Sequence, residues 1–382
     1  MIKLLIAGDY SPKARVAELI EKGACAGVFS EVKQFTSEMD YCIINFESTI
    51  TAEGDKPIRK SGPNLSCLDK SAAAIRDAGF DMVTLANNHF SDYGDKAVLR
   101  SLKCIEEAGL DHVGGGNIAQ AALPLLKEIK GKTFAFINCC EHEFTIADEK
   151  HLGCNPLEPI RQFYQIADVR GKADYVIVIV HGGHEGFQLP SMRMQETYRF
   201  FIDAGADVVV NHHQHCYSGY EVWHGKPIFY GLGNFCFDEG LGRQSVWYEG
   251  CAVELDFDGN KIGYKLFPFV QCKEEPVICF LKDRTAFDGK IKELNAIITD
   301  ADKLKAANDA YYDACDADIL NTFVVHARFA RHFPRIANLL FPSAIKIRGY
   351  DIRNLIFCEA HLDKFRHAMK KLTPPYNDTT VH

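Results

Sequence analysis

The sequence lacks the features that mark several other classes of protein. In 382 residues, no apolar run approaches the ~18 residues of a membrane span. The 14 cysteines never form a Cys-x-x-Cys pair, and Cys42, Cys139, Cys236 and Cys251 lie inside apolar runs. We interpret them as reduced core residues, a usage that indicates a cytoplasmic protein without direct membrane insertion.

Positive charge is not in excess either. The formal net charge of −8 argues against a general binder of nucleic acid or of anionic membranes. The opening MIKLLIAGDY has no small-residue cleavage pattern and passes straight into an aspartate, so we interpret it as a first strand. The sequence contains no internal repeat or low-complexity tract, and it leaves the oligomeric state open.

Short apolar runs alternate with segments of helical spacing through the first two thirds of the chain. The strand-like runs cover residues 2–7, 41–46, 82–86, 132–139, 175–180 and 207–210. This rhythm is typical of parallel βαβ units. Residues 221–230 and 251–270 favour antiparallel hairpins instead. The mixture predicts an α/β protein with two mixed sheets packed together.

The alternation of strands and helices stops near residue 285. Residues 291–304, 318–331 and 351–371 have helical spacing without intervening strands. We therefore predict an α/β domain over residues 1–282 and a helical C-terminal extension over residues 283–382. No recognisable chemistry is expected in the extension.

The strand-like runs share one further property, because a possible metal ligand follows each of five of them. In open α/β sheets the carboxyl ends of parallel strands meet in one crevice, so these donors are expected to converge. They are carboxylate, amide and imidazole groups without a leading thiolate, namely Asp9, Glu47, Asn88, His181, His213 and His215. The pattern predicts a metal centre, although each residue alone could be a helix cap, a turn former or a buried core histidine.

This mixture of nitrogen and oxygen ligands suits Mn, Fe or Zn. Two such ions would activate water and polarise a substrate, which predicts metal-assisted hydrolysis. His89 follows Asn88 directly and could protonate the leaving group, since imidazole titrates in the working pH range. Lys56 and Arg59 could contact an anionic substrate, or they could belong to a solvated run of charge.

A series of short motifs is similar to those of a known family. The motifs are Gly8-Asp9, Asn45-Phe46-Glu47, Ala86-Asn87-Asn88-His89, His181-Gly182-Gly183-His184-Glu185, Asn211-His212-His213-Gln214-His215, Gly225-Lys226-Pro227-Ile228 and Gly233-Asn234-Phe235. In order and spacing they resemble the CapA family of poly-γ-glutamate capsule-synthesis proteins, a branch of the calcineurin-like metallophosphatase superfamily. The resemblance covers roughly residues 1–270 and does not include the extension.

The resemblance implies a four-layer α/β/β/α sandwich with a two-metal site. It places Asp9 and His215 on one ion and Glu47 between the two ions. Asn88, His181 and His213 would hold the second ion, His89 would be the acid, and Glu185 and Asn234 would lie at the pocket rim. Ser11 stands where metallophosphatases usually carry a histidine.

Two functions are consistent with these observations. The leading hypothesis is a CapA-like metal-dependent hydrolase of phosphoester or γ-glutamyl (amide-type) bonds, linked to capsule or cell-envelope polymer synthesis. Its substrate would be a small molecule or an anionic polymer. The alternative is a non-catalytic component of a capsule assembly system that keeps the pocket and recruits polymer or partner proteins.

Overall fold

The apolar runs form strands of two large sheets in the computed structural model, which describes residues 1–239, 242–259, 261–332 and 342–372. The strands are β1 Ile2–Ser11, β2 Tyr41–Phe46, β3 Thr49–Ile50, β4 Ser66–Cys67, β5 Met82–Thr84, β6 Asp111–Val113, β7 Gly115–Gly116, β8 Leu125–Ile129, β9 Lys132–Cys140, β10 Gly153–Cys154, β11 Tyr175–His181, β12 Val208–His212, β13 Tyr220–Trp223, β14 Lys226–Phe229, β15 Asn234–Phe237, β16 Glu249–Asp258, β17 Lys261–Gln271 and β18 Ile278–Phe280.

Helices connect these strands and continue beyond them. They are α1 Ala14–Glu21, α2 Ser30–Thr36, α3 Ser71–Asp77, α4 Gly94–Glu107, α5 Ile118–Ala121, α6 Pro159–Arg170, α7 Met192–Asp203, α8 Ser245–Tyr248, α9 Thr285–Ile298, α10 Ala301–His332, α11 Pro342–Phe357 and α12 Glu359–Leu372, with a 3-10 turn at Cys25–Gly27. Among these described helices, none is both long and apolar enough to cross a membrane.

Both sheets are mixed, as the change from βαβ units to hairpins predicted. The first has the order β18-β17-β16-β1-β2-β5-β6, with β15 also paired to β1. The second has the order β13-β14-β12-β11-β9-β8. Strands β1, β2, β5 and β6 run parallel, as do β9, β11, β12 and β14, so their carboxyl ends lie at one edge of each sheet.

The apolar run of residues 4–7 in β1 follows from the burial of this strand on both faces. Leu4 and Ile6 belong to the core between the two sheets, whereas Leu5 and Ala7 belong to the core under helices α1 to α4. Side chains of a strand alternate between its faces, so a strand covered on both sides has few polar positions. The predicted α/β/β/α sandwich is confirmed.

The C-terminal helices pack on the sandwich through partly buried charges. Arg193 of α7 donates to Glu141 Oε1 at 2.7 Å and to Asp363 Oδ2 at 2.9 Å, which joins α12 to the end of β9. His142 Nδ1 lies 2.6 Å from Glu359 Oε1, and this contact raises the pKa of His142. These ion pairs hold α12 against the carboxyl edge of the second sheet. The division of the chain between residues 282 and 283 stays a prediction. Parts of the predicted extension lie outside the described residues.

Candidate metal centre

Three of the predicted ligands, Asn88, His213 and His215, line a cavity of about 520 Å³ at the carboxyl ends of the strands, and the other three lie buried beside them. Asp9 lies within β1, opposite Asn45 of β2 and Asn234 of β15. His181 ends β11 and is paired with His212, the last residue of β12. Strand register therefore assembles the site from segments far apart in sequence.

Asp9, Glu47 and His215 form one group of possible ligands, which we call the first site. Their ligand atoms all lie within 4.8 Å of one another. His215 Nε2 is 3.7 Å from Glu47 Oε1, and His215 Nδ1 is 3.5 Å from Asp9 Oδ2. The three residues are buried. A carboxylate pair with an imidazole is a donor set that Mn, Fe and Zn accept.

Glu47, His181 and His213 form a second group that meets the same distance limit, and we call it the second site. Three possible ligand atoms of other residues lie close to His181 Nε2. Asn88 Oδ1 lies at 2.9 Å, His213 Nδ1 at 3.1 Å and Glu47 Oε1 at 3.6 Å. Glu47 thus belongs to both sites, in the bridging place that the resemblance implied for it.

The electrostatics of Glu47 fit a bound cation. Both of its carboxylate oxygens are buried and have no hydrogen-bond partner in the described structure. Burial, and after it the nearby Asp9 carboxylate, raise the pKa of Glu47 well above its usual range. An unpaired buried carboxylate is costly, and coordination to a divalent ion removes that cost.

His181 fits as well, because a histidine binds a metal as the neutral imidazole. Burial and the neighbouring His213 hold the pKa of His181 well below its ordinary value. His213 and His215 both have positive φ angles, of 88° and 55°. Non-glycine residues in this region are uncommon and cluster at functional sites, where the surrounding structure fixes them. The turn after β12 therefore aims alternate histidines at the cavity.

Buried asparagines orient two of these ligands. Asn45 donates its amide to Asp9 Oδ1 at 2.8 Å, and the same nitrogen is 3.3 Å from His181 Nδ1. Asn234 Oδ1 lies 2.9 Å from His215 Nδ1, which leaves His215 Nε2 facing Glu47. Metal-binding histidines commonly donate their other nitrogen to such a group. Asn234 is fully buried behind His215, rather than at the rim where the motif comparison put it.

We expect Asn234→Ala to weaken metal binding at the first site by about 10- to 100-fold, the usual effect of losing a group that orients a ligand. The measurement is competition for zinc against a chelator of known affinity. Asn308→Ala is the matched control, since Asn308 is equally buried and donates to Pro190 O and Leu304 O, away from the centre. Equal zinc affinity in the two variants would contradict the assigned role.

A buried charged triad lies beside the second site. Asp92 Oδ2 is 2.6 Å from His89 Nδ1, and Asp92 Oδ1 is 2.5 Å from Lys60 Nζ. His89 Nε2 is then turned toward Glu47, at 4.0 Å from Oε1. Burial and the Lys60 charge lower the pKa of His89, although Asp92 opposes this. The arrangement fixes which ring nitrogen faces the cavity.

The remaining predicted residues lie in different places. Glu185 lines the cavity and is exposed at its mouth. Lys56 and Arg59 are exposed and do not line the cavity, whereas the neighbouring Lys60 does and has a side chain only 2% exposed. Of these three basic side chains, only that of Lys60 thus reaches the cavity.

Sequence reasoning missed other parts of the centre. His212 is buried, with Nδ1 3.5 Å from Asp9 Oδ1 and with neither ring nitrogen hydrogen-bonded in the described structure. Ser11, at the place where a histidine was expected, instead shares a 2.7 Å hydrogen bond with Ser48. No recognisable chemistry was expected in the extension, but His361 and Lys364 of α12 line the cavity wall. In the sequence, the position of His212 beside His213 and His215 was the signal that could have identified it.

A family model described as "Bacterial capsule synthesis protein PGA_cap" matches residues 3–239. The chain belongs to this family. Membership confirms the resemblance to the CapA family inferred from the short motifs. The residues of the matched range hold every predicted ligand, whereas α9 to α12 lie beyond it.

Relatives of this PGA_cap protein include the "Capsule biosynthesis protein CapA" of Bacillus anthracis, 32% identical over 251 residues. The "PGA biosynthesis protein CapA" of Bacillus subtilis (strain 168) is 30% identical over 241 residues. These alignments cover 63% and 62% of this chain, and 61% and 63% of the two relatives. The chain therefore spans about three fifths of the length of the curated relatives it matches.

Two solved structures are similar in fold at low sequence identity. A hypothetical protein from Thermus thermophilus has a TM-score of 0.45 and 15% identity, covering 70% of this chain and 99% of its own. A putative 5'-nucleotidase from Staphylococcus aureus has a TM-score of 0.46 and 14% identity, covering 78% of this chain and 58% of its own.

Proposed function

We propose that this PGA_cap protein is a metal-dependent hydrolase that cleaves a phosphoester or a γ-glutamyl (amide-type) bond during capsule or cell-envelope polymer synthesis. One observation carries the proposal, namely that two groups of buried ligands share the Glu47 carboxylate. That carboxylate has no hydrogen-bond partner in the described structure, and it would be a ligand of both ions. The cytoplasmic location indicated by the cysteines stays a prediction.

The two sites would hold Mn, Fe or Zn. Asp9 and His215 would bind the first ion, Asn88, His181 and His213 the second, and Glu47 both. Divalent ions supply Lewis acidity in such a centre and make water nucleophilic near neutral pH. The chain itself contributes the geometry, since Asn45 and Asn234 hold Asp9 and His215 in position.

His89 is the group proposed to protonate the leaving atom. Asp92 occupies Nδ1, so the proton to be transferred is carried at Nε2, on the side of the cavity. The lowered pKa of His89, due to burial and to Lys60, makes its protonated form a stronger acid. Asp92 stabilises that form while the substrate binds.

The wall of the cavity supports an anionic substrate. Lys60, Arg243 and Lys364 line it. Lys364 Nζ lies over the Tyr311 ring, 5.2 Å from its centroid, and no ion pair joins it to a carboxylate within the described ranges. Its charge is therefore available to a phosphate or a carboxylate, the anionic groups of a small substrate or of a polymer end.

The test is elemental analysis of protein purified without chelator, followed by assays with an aryl phosphate and a γ-glutamyl anilide. We expect bound divalent metal, hydrolysis of one substrate class, and loss of that activity on chelation with recovery on metal addition. A protein that is free of metal, inactive on both substrates and able to bind polyglutamate would instead support the non-catalytic assembly component.

A further inference from the structure

A second kind of ligand cluster lies where the extension meets the sandwich. Glu143, in the loop after β9, approaches Cys358 and His361 at the start of α12. One ligand atom from each residue lies within 4.8 Å of the others. Cys358 is fully buried, and the other two are half-buried. This cluster shares no residue with the Glu47 centre.

The spacing of the two C-terminal residues suits a shared ion. Cys358-Glu359-Ala360-His361 is a Cys-x-x-His sequence within one helical turn, and the Cys358 carbonyl accepts the helical hydrogen bond of Leu362 N at 2.8 Å. Residues three apart in a helix lie on the same face. The sulfur and the imidazole therefore point toward the same neighbour, which is Glu143.

The Cys358 thiol donates to Glu141 Oε2 at 3.7 Å, whereas the Glu143 carboxylate and the His361 ring lie too far apart to form a hydrogen bond with each other. The Glu143 side chain is 11% exposed, and its carboxylate accepts no hydrogen bond from the residues that the structure describes. His361 Nε2 is 3.8 Å from Glu143 Oε1, which is too long for a hydrogen bond. Ligands at the usual bond lengths of a tetrahedral zinc ion lie about 3.3–3.6 Å apart. A small closure around an ion would satisfy both groups.

We propose that Glu143, Cys358 and His361 bind one further divalent ion of the zinc type. Sulfur, nitrogen and oxygen ligands together favour zinc, and the thiol gives its proton to solvent on binding. Glu143 and His361 line the cavity of the Glu47 centre, so the fourth coordination position opens toward the substrate space. The ion also joins α12 to the loop after β9. This inference does not depend on the proposed hydrolase activity.

The experiment is cobalt(II) loading of the full-length protein, read by absorption and by metal content. A cobalt–thiolate bond gives a near-ultraviolet charge-transfer band, which the sulfur-free Glu47 centre does not give. We expect this band in the wild type and in His213→Ala. We expect Cys358→Ser to lose the band and one equivalent of metal per chain.

Cys279→Ser is the matched control, because Cys279 is an exposed cysteine outside the cluster. It should keep both the band and the metal content. His361→Gln retains the thiol and should weaken cobalt binding at this site at least tenfold, which tests the site even if Cys358→Ser fails to fold. Absence of the band in the wild type at saturating cobalt, or its persistence in folded Cys358→Ser, would overturn the proposal. If metal is lost only from the Glu47 centre, the band should remain, so a failure of that centre can be distinguished from a failure of this proposal.

Discussion

Replacing Glu47 by glutamine is expected to remove both ions of the centre while the chain stays folded. Glu47 belongs to both ligand groups, and the amide cannot bridge two cations as a carboxylate does. Its oxygens make no protein hydrogen bond in the described structure, so the metal-free fold loses no hydrogen bond. Burial is the first cause of the raised pKa of Glu47, so its charged form is costly without metal, and the neutral glutamine does not carry that charge.

The measurement combines metal content with thermal unfolding. At a free ion concentration 1,000 times Kd, a ligand that binds only the native state adds about 4 kcal/mol to its stability. We expect the wild type to gain stability of this order on metal addition and Glu47→Gln to gain almost none. With chelator present, the two proteins should unfold at nearly the same temperature.

Glu221→Gln is the matched control for this experiment. Glu221 is also buried, but its carboxylate accepts hydrogen bonds from Arg199 at 2.6 Å and from Tyr230 at 2.6 Å. Breaking a buried ion pair costs about 3–5 kcal/mol, so this variant should lose stability and keep its metal. Stoichiometric metal in folded Glu47→Gln would show that the carboxylate is not a shared ligand.

The strand pattern explains why much of the centre could be predicted. Asp9, Glu47 and His181 follow runs that are mainly apolar, and such runs indicate strands buried on both faces. The polar residues that follow these strands must therefore lie at the edge of a sheet. The carboxyl ends of parallel strands lie together, so the convergence of these residues can be predicted without further information on side chains.

Other features depend on contacts that periodicity does not encode. The resemblance implied a position at the pocket rim for Asn234, whereas β15 pairs with β1 and sets Asn234 opposite Asp9. Of the basic residues Lys56, Arg59 and Lys60, only Lys60 lines the cavity, because it forms an ion pair with the buried Asp92. Helical spacing in the extension predicts helices but not the partner against which α12 packs. Arg193 and Glu359, which make those contacts, carry no distinctive sequence signal.

The second large effect is expected for His89→Gln. This change should lower kcat by about 10²–10⁴-fold on substrates with poor leaving groups, the usual contribution of a general acid. Metal content should not change, because His89 Nε2 is 4.0 Å from Glu47 Oε1 and His89 belongs to neither ligand group. The measurements are kcat and KM over a series of leaving groups, together with elemental analysis.

The leaving-group series separates protonation from a merely structural role. A leaving group that departs easily as an anion needs no proton, so the deficit of His89→Gln should shrink as the leaving-group pKa falls. Asp92→Asn should show a weaker form of the same trend, since Asp92 orients His89 and does not face the bond that breaks. His224→Gln, at an exposed hairpin turn, should behave as the wild type. A deficit of equal size for every leaving group would assign His89 to substrate positioning, because only the transfer of a proton makes the rate depend on the basicity of the departing atom.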